Sequence, residues 1–379
     1  MEVAKMANQS IKVYPVGNGD TSLISLSGNQ HMMIDCKIDN DAPTNKDKFD
    51  VKKDLVANLP KDSEGRHHLD VFILTHPDND HCAGFKDTFF CDDPANYDKD
   101  AKERNAIIID ELWFSNTLFD RFTDPLSDAA KNFKKEAKRR KDLFKNSPEK
   151  AKLPGNRIIL IDFKDECKDD GFESIIVEPG TSTNIFNKVE KTDFSLFIHG
   201  PFKTPTDDSQ PRNETSVIMQ LRFGSANDEM AALAFFAGDA DYNRFQRLLD
   251  ERDDESIQWD LLLAPHHCSW TYFNMTPYED FPEPQDSAIE FLQRQRGAGM
   301  IVASSKEIID DDDNPPHYAA KQEYIGQIDE DDFYSTGDDP LTPLVFEAGN
   351  NGFSKKDYIA KANLVSAVSG VTEKAKTYG

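Results

Sequence analysis

The stretch Thr75-His76-Pro77-Asp78-Asn79-Asp80-His81, with Gly84 just behind it, constrains this chain more than any other. Four metal-competent side chains fall within six positions, directly after the apolar run Val71-Phe72-Ile73-Leu74. A buried strand ending in a tight turn of the form His-x-Asp-x-Asp-His can aim all four groups into one pocket. Imidazole and carboxylate are the donors that borderline and hard divalent metals accept. The bland alternative is a polar turn that happens to be rich in Asp and His. The density of donors favours a metal site.

At 379 residues the chain is long enough for a large core, as one big domain or as a domain with insertions. Its formal charge of −25 makes a self-repelling surface and argues against bulk attraction to DNA or anionic membranes. No run of about eighteen apolar residues is present, so no membrane span is expected. Met1 to Ser10 lack the apolar centre of a signal peptide. The five cysteines (Cys36, Cys82, Cys91, Cys167, Cys268) are scattered with no Cys-x-x-Cys pair, which predicts a reduced cytoplasmic protein.

The segments Ile11–Val16, Ser22–Leu26 and Met32–Asp35 alternate and are separated by turns, predicting a three-stranded meander. Val51 to Leu59 reads as a short helix. Between about 85 and 156 the pattern changes to an expected insertion. There Ile107–Ile109 and Leu112–Phe114 are strand material, and Leu126, Ala130, Phe133, Ala137, Arg140 and Phe144 recur at helical spacing. That helix is strongly basic: Lys131, Lys134, Lys135, Lys138, Arg139, Arg140, Lys141 and Lys145 face only Glu136 and Asp142. A solvated face is one reading; a phosphate-tracking strip or a contact with an acidic partner is the other. Strand signals resume at Ile158–Ile161, Ser174–Val177, Phe194–Ile198, Ser216–Leu221, Ala231–Phe236, Leu261–Ala264 and Met300–Ala303, with helices expected at Tyr242–Leu249 and Ala288–Arg296. The acidic runs 310–313 and 329–332 read as solvated loops. A domain over 10–335 and a C-terminal extension over 336–379 with few periodic signals complete the division.

Three further clusters sit where strands end: Ala237-Gly238-Asp239, Pro265-His266-His267-Cys268-Ser269 and Asn314-Pro315-Pro316-His317. In layered α/β folds functional groups gather on the loops leaving one edge of a sheet, so these can join the first cluster. Together with Val16-Gly17-Asn18-Gly19-Asp20, Met33-Ile34-Asp35-Cys36, His76-Pro77-Asp78-Asn79-Asp80-His81 and Asn213-Glu214-Thr215-Ser216, they occur in an order that resembles the metallo-β-lactamase superfamily, and within it the hydrolase domain of ComEC-like competence proteins. Ala83 stands where that family has the first of two glycines, Cys268 replaces the glycine of its P-H-H-G-S, and the late element lacks its glycine.

The resemblance implies an αββα sandwich carrying a dinuclear centre, with an α-helical basic insertion. By that likeness His76 and Asp78 bind one metal, Asp80 and His81 the other, Asp239 bridges, and His266 or His267 completes the shell. His317 and His199 are further candidates. Asp78 holds a place where most of the superfamily has histidine, and a carboxylate there hardens the site. Two divalent ions are therefore expected, Mn²⁺ or Zn²⁺, with Mg²⁺ as a third option. Asp80, His266 and His267 are the expected catalytic groups: Asp80 orients the attacking water, and one histidine stabilises charge or protonates the leaving group.

The leading expectation is a metal-dependent phosphodiesterase or nuclease, with the Lys131–Lys145 helix guiding a phosphate chain and Trp270, Tyr272 and Phe273 stacking on a base or packing on the core. The rivals are a hydrolase of a small carboxylic ester, lactone or thioester, and a silent module of a multi-protein, defence-type system acting through a protein partner or as a homo-oligomer. Cys82 and Cys268 are expected to pack. His31, His67 and His68 are expected on the surface or in loops.

Overall fold

The computed structural model describes residues 9–115, 125–165, 167, 171–203, 216–225 and 228–361. The chain opens with the expected meander: β1 (Ser10–Val13), β2 (Ser22–Leu26) and β3 (Gln30–Ile34) pair antiparallel. Helix α1 (Val51–Asn58), capped by the Asp50 carboxylate on the Lys53 N–H, then carries the chain across to β4 (His68–Ile73), which lies parallel to β3. The short helices α2 (Asn79–Cys82), α3 (Phe85–Thr88) and α4 (Lys99–Glu103) precede β5 (Ile108–Phe114). After the long helix α5 (Asp128–Asn146) and one-turn α6 (Pro148–Ala151) come β6 (Arg157–Ile161) and β7 (Ile176–Val177).

The second half begins with β8 (Thr181–Thr183) and the small hairpin β9 (Ile185–Phe186) and β10 (Val189–Glu190). It continues through β11 (Phe194–Ile198), β12 (Met219–Ser225), β13 (Asp228–Phe236), α7 (Tyr242–Glu251) and β14 (Trp259–Leu263). The tight turn α8 (Pro265–Cys268), α9 (Asp286–Leu292), β15 (Gln295–Ala303), α10 (Tyr318–Ile325) and β16 (Phe333–Ser335) follow, and β17 (Leu344–Gly349) and β18 (Gly352–Lys356) end it.

Among the described residues the strands form two large sheets, ordered β18-β17-β1-β2-β3-β4-β5-β6-β7 and β16-β15-β14-β13-β12-β11-β8. Ile24, Ile34, Val71, Ile73 and Trp113 of the first sheet meet Leu196, Met219, Leu221, Phe236 and Leu261 of the second, a dry layer between them. The outer face of the first sheet (Phe72, Leu112, Leu160) is covered by Leu55 of α1, Phe85 of α3, and Phe133 and Ala137 of α5. The outer face of the second (Phe235, Leu262, Ile301) is covered by Phe245 and Leu248 of α7, Phe291 of α9 and Tyr324 of α10. The layers are therefore αββα. β5 and β14, covered on both faces, are buried along their whole length and are apolar apart from Asp110, Glu111 and Asp260.

Two regions differ from the sequence reading. The segment expected as an insertion contains β5, which lies between β4 and β6 in the first sheet. Residues 344–356, inside the expected extension, supply β17 and β18, and β17 pairs with β1 from Ser10↔Glu347 to Val13↔Leu344. His31 and His67 are buried rather than exposed, and His68 is a strand residue bonded to Asp110 and Asp62. The acidic run at 310–313 is exposed as expected.

Candidate metal centre

Strands β4, β13 and β14 belong to the parallel stretches of their sheets, and their carboxyl ends deliver the chemistry to one edge of the sandwich. After β4, Thr75 to His81 turn sharply into α2; after β13 come Gly238 and Asp239; after β14 comes the 265–268 turn. The loops are tied to one another by backbone bonds. Asp20 N–H donates to Asp80 O (3.1 Å), Cys36 N–H to His81 O (2.8 Å), His266 N–H to Gly238 O (3.0 Å) and His317 N–H to Cys268 O (2.9 Å). Gly19 (φ +153°) is required where the first turn presses on the second, since a Cβ there would lie 2.7 Å from Asp80 O.

Asp239 stands at the centre. Its Oδ1 is 3.0 Å from His81 Nε2 and 3.6 Å from His267 Nε2, while its Oδ2 is 3.4 Å from His76 Nε2 and 3.5 Å from His266 Nε2. His267 Nε2 also lies 3.4 Å from Asp80 Oδ2, and His76 Nε2 lies 3.9 Å from Asp78 Oδ2. Two donor groups result, sharing one carboxylate: Asp80, His81, His267 and Oδ1 on one side, His76, Asp78, His266 and Oδ2 on the other. The first group, with all donor atoms within 4.8 Å of one another, is compact enough for a single ion. Two ligands on a tetrahedral ion, each about 2.0–2.1 Å from it, stand about 3.4 Å apart, which is the spacing seen here.

The donors are also poised for a cation rather than for one another. Nε2 of His76, His81 and His267 and Oδ1 of Asp239 are buried with no hydrogen-bond partner among the described residues. An unsatisfied buried polar atom costs about 1–3 kcal/mol, so four at one point call for a ligand. A divalent cation fits the donor set.

The proton inventory fixes the ring orientations. Asp35 accepts Thr75 N–H at Oδ1 (2.7 Å) and both the Thr75 hydroxyl (2.6 Å) and His81 Nδ1–H (2.7 Å) at Oδ2. Because Thr75 has given its one hydroxyl proton to a carboxylate, its oxygen can only accept from His76 Nδ1, 3.1 Å away. A second relay runs behind His266. Trp270 N–H identifies Asn314 Oδ1 as an acceptor (3.0 Å), so Ser269 donates to it (2.7 Å), Thr271 donates to Ser269 (2.9 Å), and His266 Nδ1–H donates to Thr271 (2.9 Å). In His76, His81 and His266 the Nδ1–H is thus committed away from the centre, so that each ring in its neutral form turns its Nε2 lone pair toward Asp239.

Charge follows the same geometry. Burial opposes a proton on His81, but Asp239 and Asp35 outweigh it and raise its pKa well above the usual value. Burial likewise opposes charge on His267, yet Asp239 and Asp20 push it up to about 10. His266 is lowered by burial, although Asp239 pulls the other way. Burial would raise Asp239, but His81, His76, His267 and His266 hold it well below the carboxylate range.

The structure thus brings together His76, Asp78, Asp80, His81, Asp239, His266 and His267. Two candidates lie apart. His199 stacks between Phe197 (4.7 Å) and Phe235 (5.2 Å) on the helix-covered face of the second sheet. His317 packs against Trp270 (5.9 Å) and Tyr278 (5.3 Å) beside the site. Asn213 to Thr215 lie outside the described residues; Ser216 is buried at the start of the segment whose Val217 N–H donates to Thr75 O. Trp270, Tyr272 and Phe273 are buried in the core and present no stacking surface. Cys82 and Cys268 are buried free thiols that pack. Sequence reasoning missed four supporting residues: Asp20, Asp35, Thr75 and Thr271. The first three lay within motifs already noted; nothing in the sequence marked Thr271.

The basic helix is less available than its composition suggests. Arg140 is 1% exposed, bonded to Glu136 and to the carbonyls of Ile109 and Arg157, and Arg139 also clasps Glu136. Lys131 and Lys138 pair with Asp128 and Asp142, and Lys141 and Lys145 lie over the Phe172 ring. No helix among the described residues is long and apolar enough to cross a membrane.

No protein-family model matches the chain, and no curated protein matches it. Among solved structures, a diphosphatase from the PhnP family aligns over 90% of this chain and 99% of its own, at 12% identity and a TM-score of 0.36. A long-form RNase Z from yeast aligns over 96% of this chain, at 12% identity and a TM-score of 0.39; the aligned part is 44% of that protein. Likeness of that degree carries no weight for activity, and the layers and the side-chain cluster stand on their own geometry.

Proposed function

We propose that this chain is a metal-dependent hydrolase of the metallo-β-lactamase type, acting on a phosphodiester. The observation that carries the reading is the division of Asp239, each of whose oxygens faces two histidine Nε2 atoms. His76, Asp78 and His266 would hold one ion, Asp80, His81 and His267 the other, with Asp239 shared. A cation pair supplies ionisation of water near neutral pH and a clamp on the attacked group. Asp80, the most exposed of the seven at 35%, reaches furthest into the opening and orients the attacking water. Its backbone is fixed by the Asp20 N–H, so the carboxylate is aimed before substrate arrives. With its Nδ1–H committed to Thr271, His266 serves better as a ligand than as a proton donor to a leaving group.

The internal use of the α5 cations favours a small phosphodiester over a long polynucleotide. A second reading, a small neutral ester, is favoured by the carboxylates of Glu279, Asp311 and Asp312 grouped about His317 beside the site. The test is hydrolysis of a chromogenic phosphodiester and a chromogenic carboxylic ester by metal-loaded protein. Phosphodiester turnover that falls by at least about a thousandfold in Asp239→Asn and His81→Ala supports the first reading. Turnover of the carboxylic ester alone supports the second, and turnover of neither overturns both.

A further inference from the structure

The four inward-facing histidines are not supported alike. Behind His81, Nδ1 meets the Asp35 carboxylate at 2.7 Å. Behind His267, Nδ1 meets Asp20 Oδ1 at 3.4 Å, both atoms buried and neither hydrogen-bonded elsewhere among the described residues. Behind His76 stands the hydroxyl of Thr75, and behind His266 the hydroxyl of Thr271, whose relay ends on the neutral amide of Asn314. The sorting follows the two sides of Asp239: both carboxylate-backed rings face Oδ1 and both hydroxyl-backed rings face Oδ2. Exposure sets only one ring apart, since His76, His81 and His267 are fully buried whereas His266 is 20% exposed.

A carboxylate accepting the Nδ1 proton pushes electron density toward Nε2 and makes the ring a stronger donor; a hydroxyl does so weakly. We propose that the two cation positions are unequal by construction: the Asp80–His81–His267 position, backed by Asp35 and Asp20, holds its ion tightly, whereas the His76–Asp78–His266 position, backed by Thr75 and Thr271, holds an exchangeable one. Asp20 is the positioning residue for His267. The inference rests on the dinuclear reading above and adds an order of filling to it.

Calorimetric titration of metal-stripped full-length protein with Mn²⁺, followed in parallel by electron paramagnetic resonance, tests it. Two binding steps at least about tenfold apart are expected, with an uncoupled six-line spectrum at one equivalent and spin coupling only at the second. Asp20→Asn weakens the first step by about 10–100-fold and leaves the second within about threefold, while Thr271→Val weakens only the second. Asp35→Asn, acting through His81 rather than His267, must weaken the same first step, which keeps the test open if Asp20→Asn folds poorly. Two equal steps, or a first step weakened by Thr271→Val and untouched by Asp20→Asn, overturn the inequality and leave the dinuclear site standing. Absence of any Mn²⁺ binding overturns the site itself and the inequality with it.

Discussion

At Gly84 the backbone is left-handed (φ +74°), and a Cβ would sit 2.2 Å from the carbonyl oxygen of Ile38. Gly84→Ala should therefore destabilise the fold by about 2–3 kcal/mol, seen as a lower urea midpoint with an unchanged slope. The neighbouring Ala83, where a glycine was expected, has φ −62° and ψ 139°, so a methyl group is harmless there. Cys268 is the opposite case: it holds φ +66° where the resembling motif has glycine, after two histidines also in left-handed geometry. The left-handed run over 266–268 turns two adjacent rings into the space around Asp239. Away from the site, burial lowers the His68 pKa but Asp110 and Asp62 raise it more, for a net rise. A raised folded-state value adds stability that is fully present below the unfolded value of about 6.5 and is lost as pH climbs through the folded one. Asp110→Asn should thus lower the melting temperature most near pH 5–6, with a shrinking difference at higher pH. The candidate ligands were legible because metal chemistry would crowd such donors into short motifs at strand ends. Their supports were not, because which carboxylate or hydroxyl meets an Nδ1 depends on how separate loops are stacked.

Helix α5 shows how much an element's role depends on what it packs against. Its apolar spacing was plain, and Phe133 and Ala137 do face the first sheet. The charge pattern misled, because Arg140 lies on the buried side of the same stripe and satisfies carbonyls of β5 and the start of β6. Glu136→Ala would strand that guanidinium, at a cost of about 3–5 kcal/mol in chemical denaturation. Lys135→Ala should change stability by less than about 0.5 kcal/mol. The aromatic triplet after the histidine pair could not be assigned from its composition, since a ring that stacks on a base and one that fills a core look the same in sequence. The Tyr272 hydroxyl bond to Ala288 O (2.9 Å) ties it inward.

For the molecule as a whole, individual strands could be read from hydrophobic patterning and the αββα layering only from the resemblance in motif order, whereas residues 344–356 could not be read as strands, because β17 and β18 mix apolar and polar residues at a sheet margin. Deleting residue 344 onward should bare the β1 edge with Ile11 and Val13 beside it, giving insoluble protein or a melting temperature lower by more than about 10 °C. Lys12, Tyr14 and Tyr358 converge on the Asp54 carboxylate, each at 2.7 Å, so the closing segment is latched to α1 as well. During synthesis, a ribosome will have released nearly every strand before the one that flanks β1 emerges. Until then the growing polypeptide carries an unfinished rim, and the pairing of Ser10 waits on Glu347.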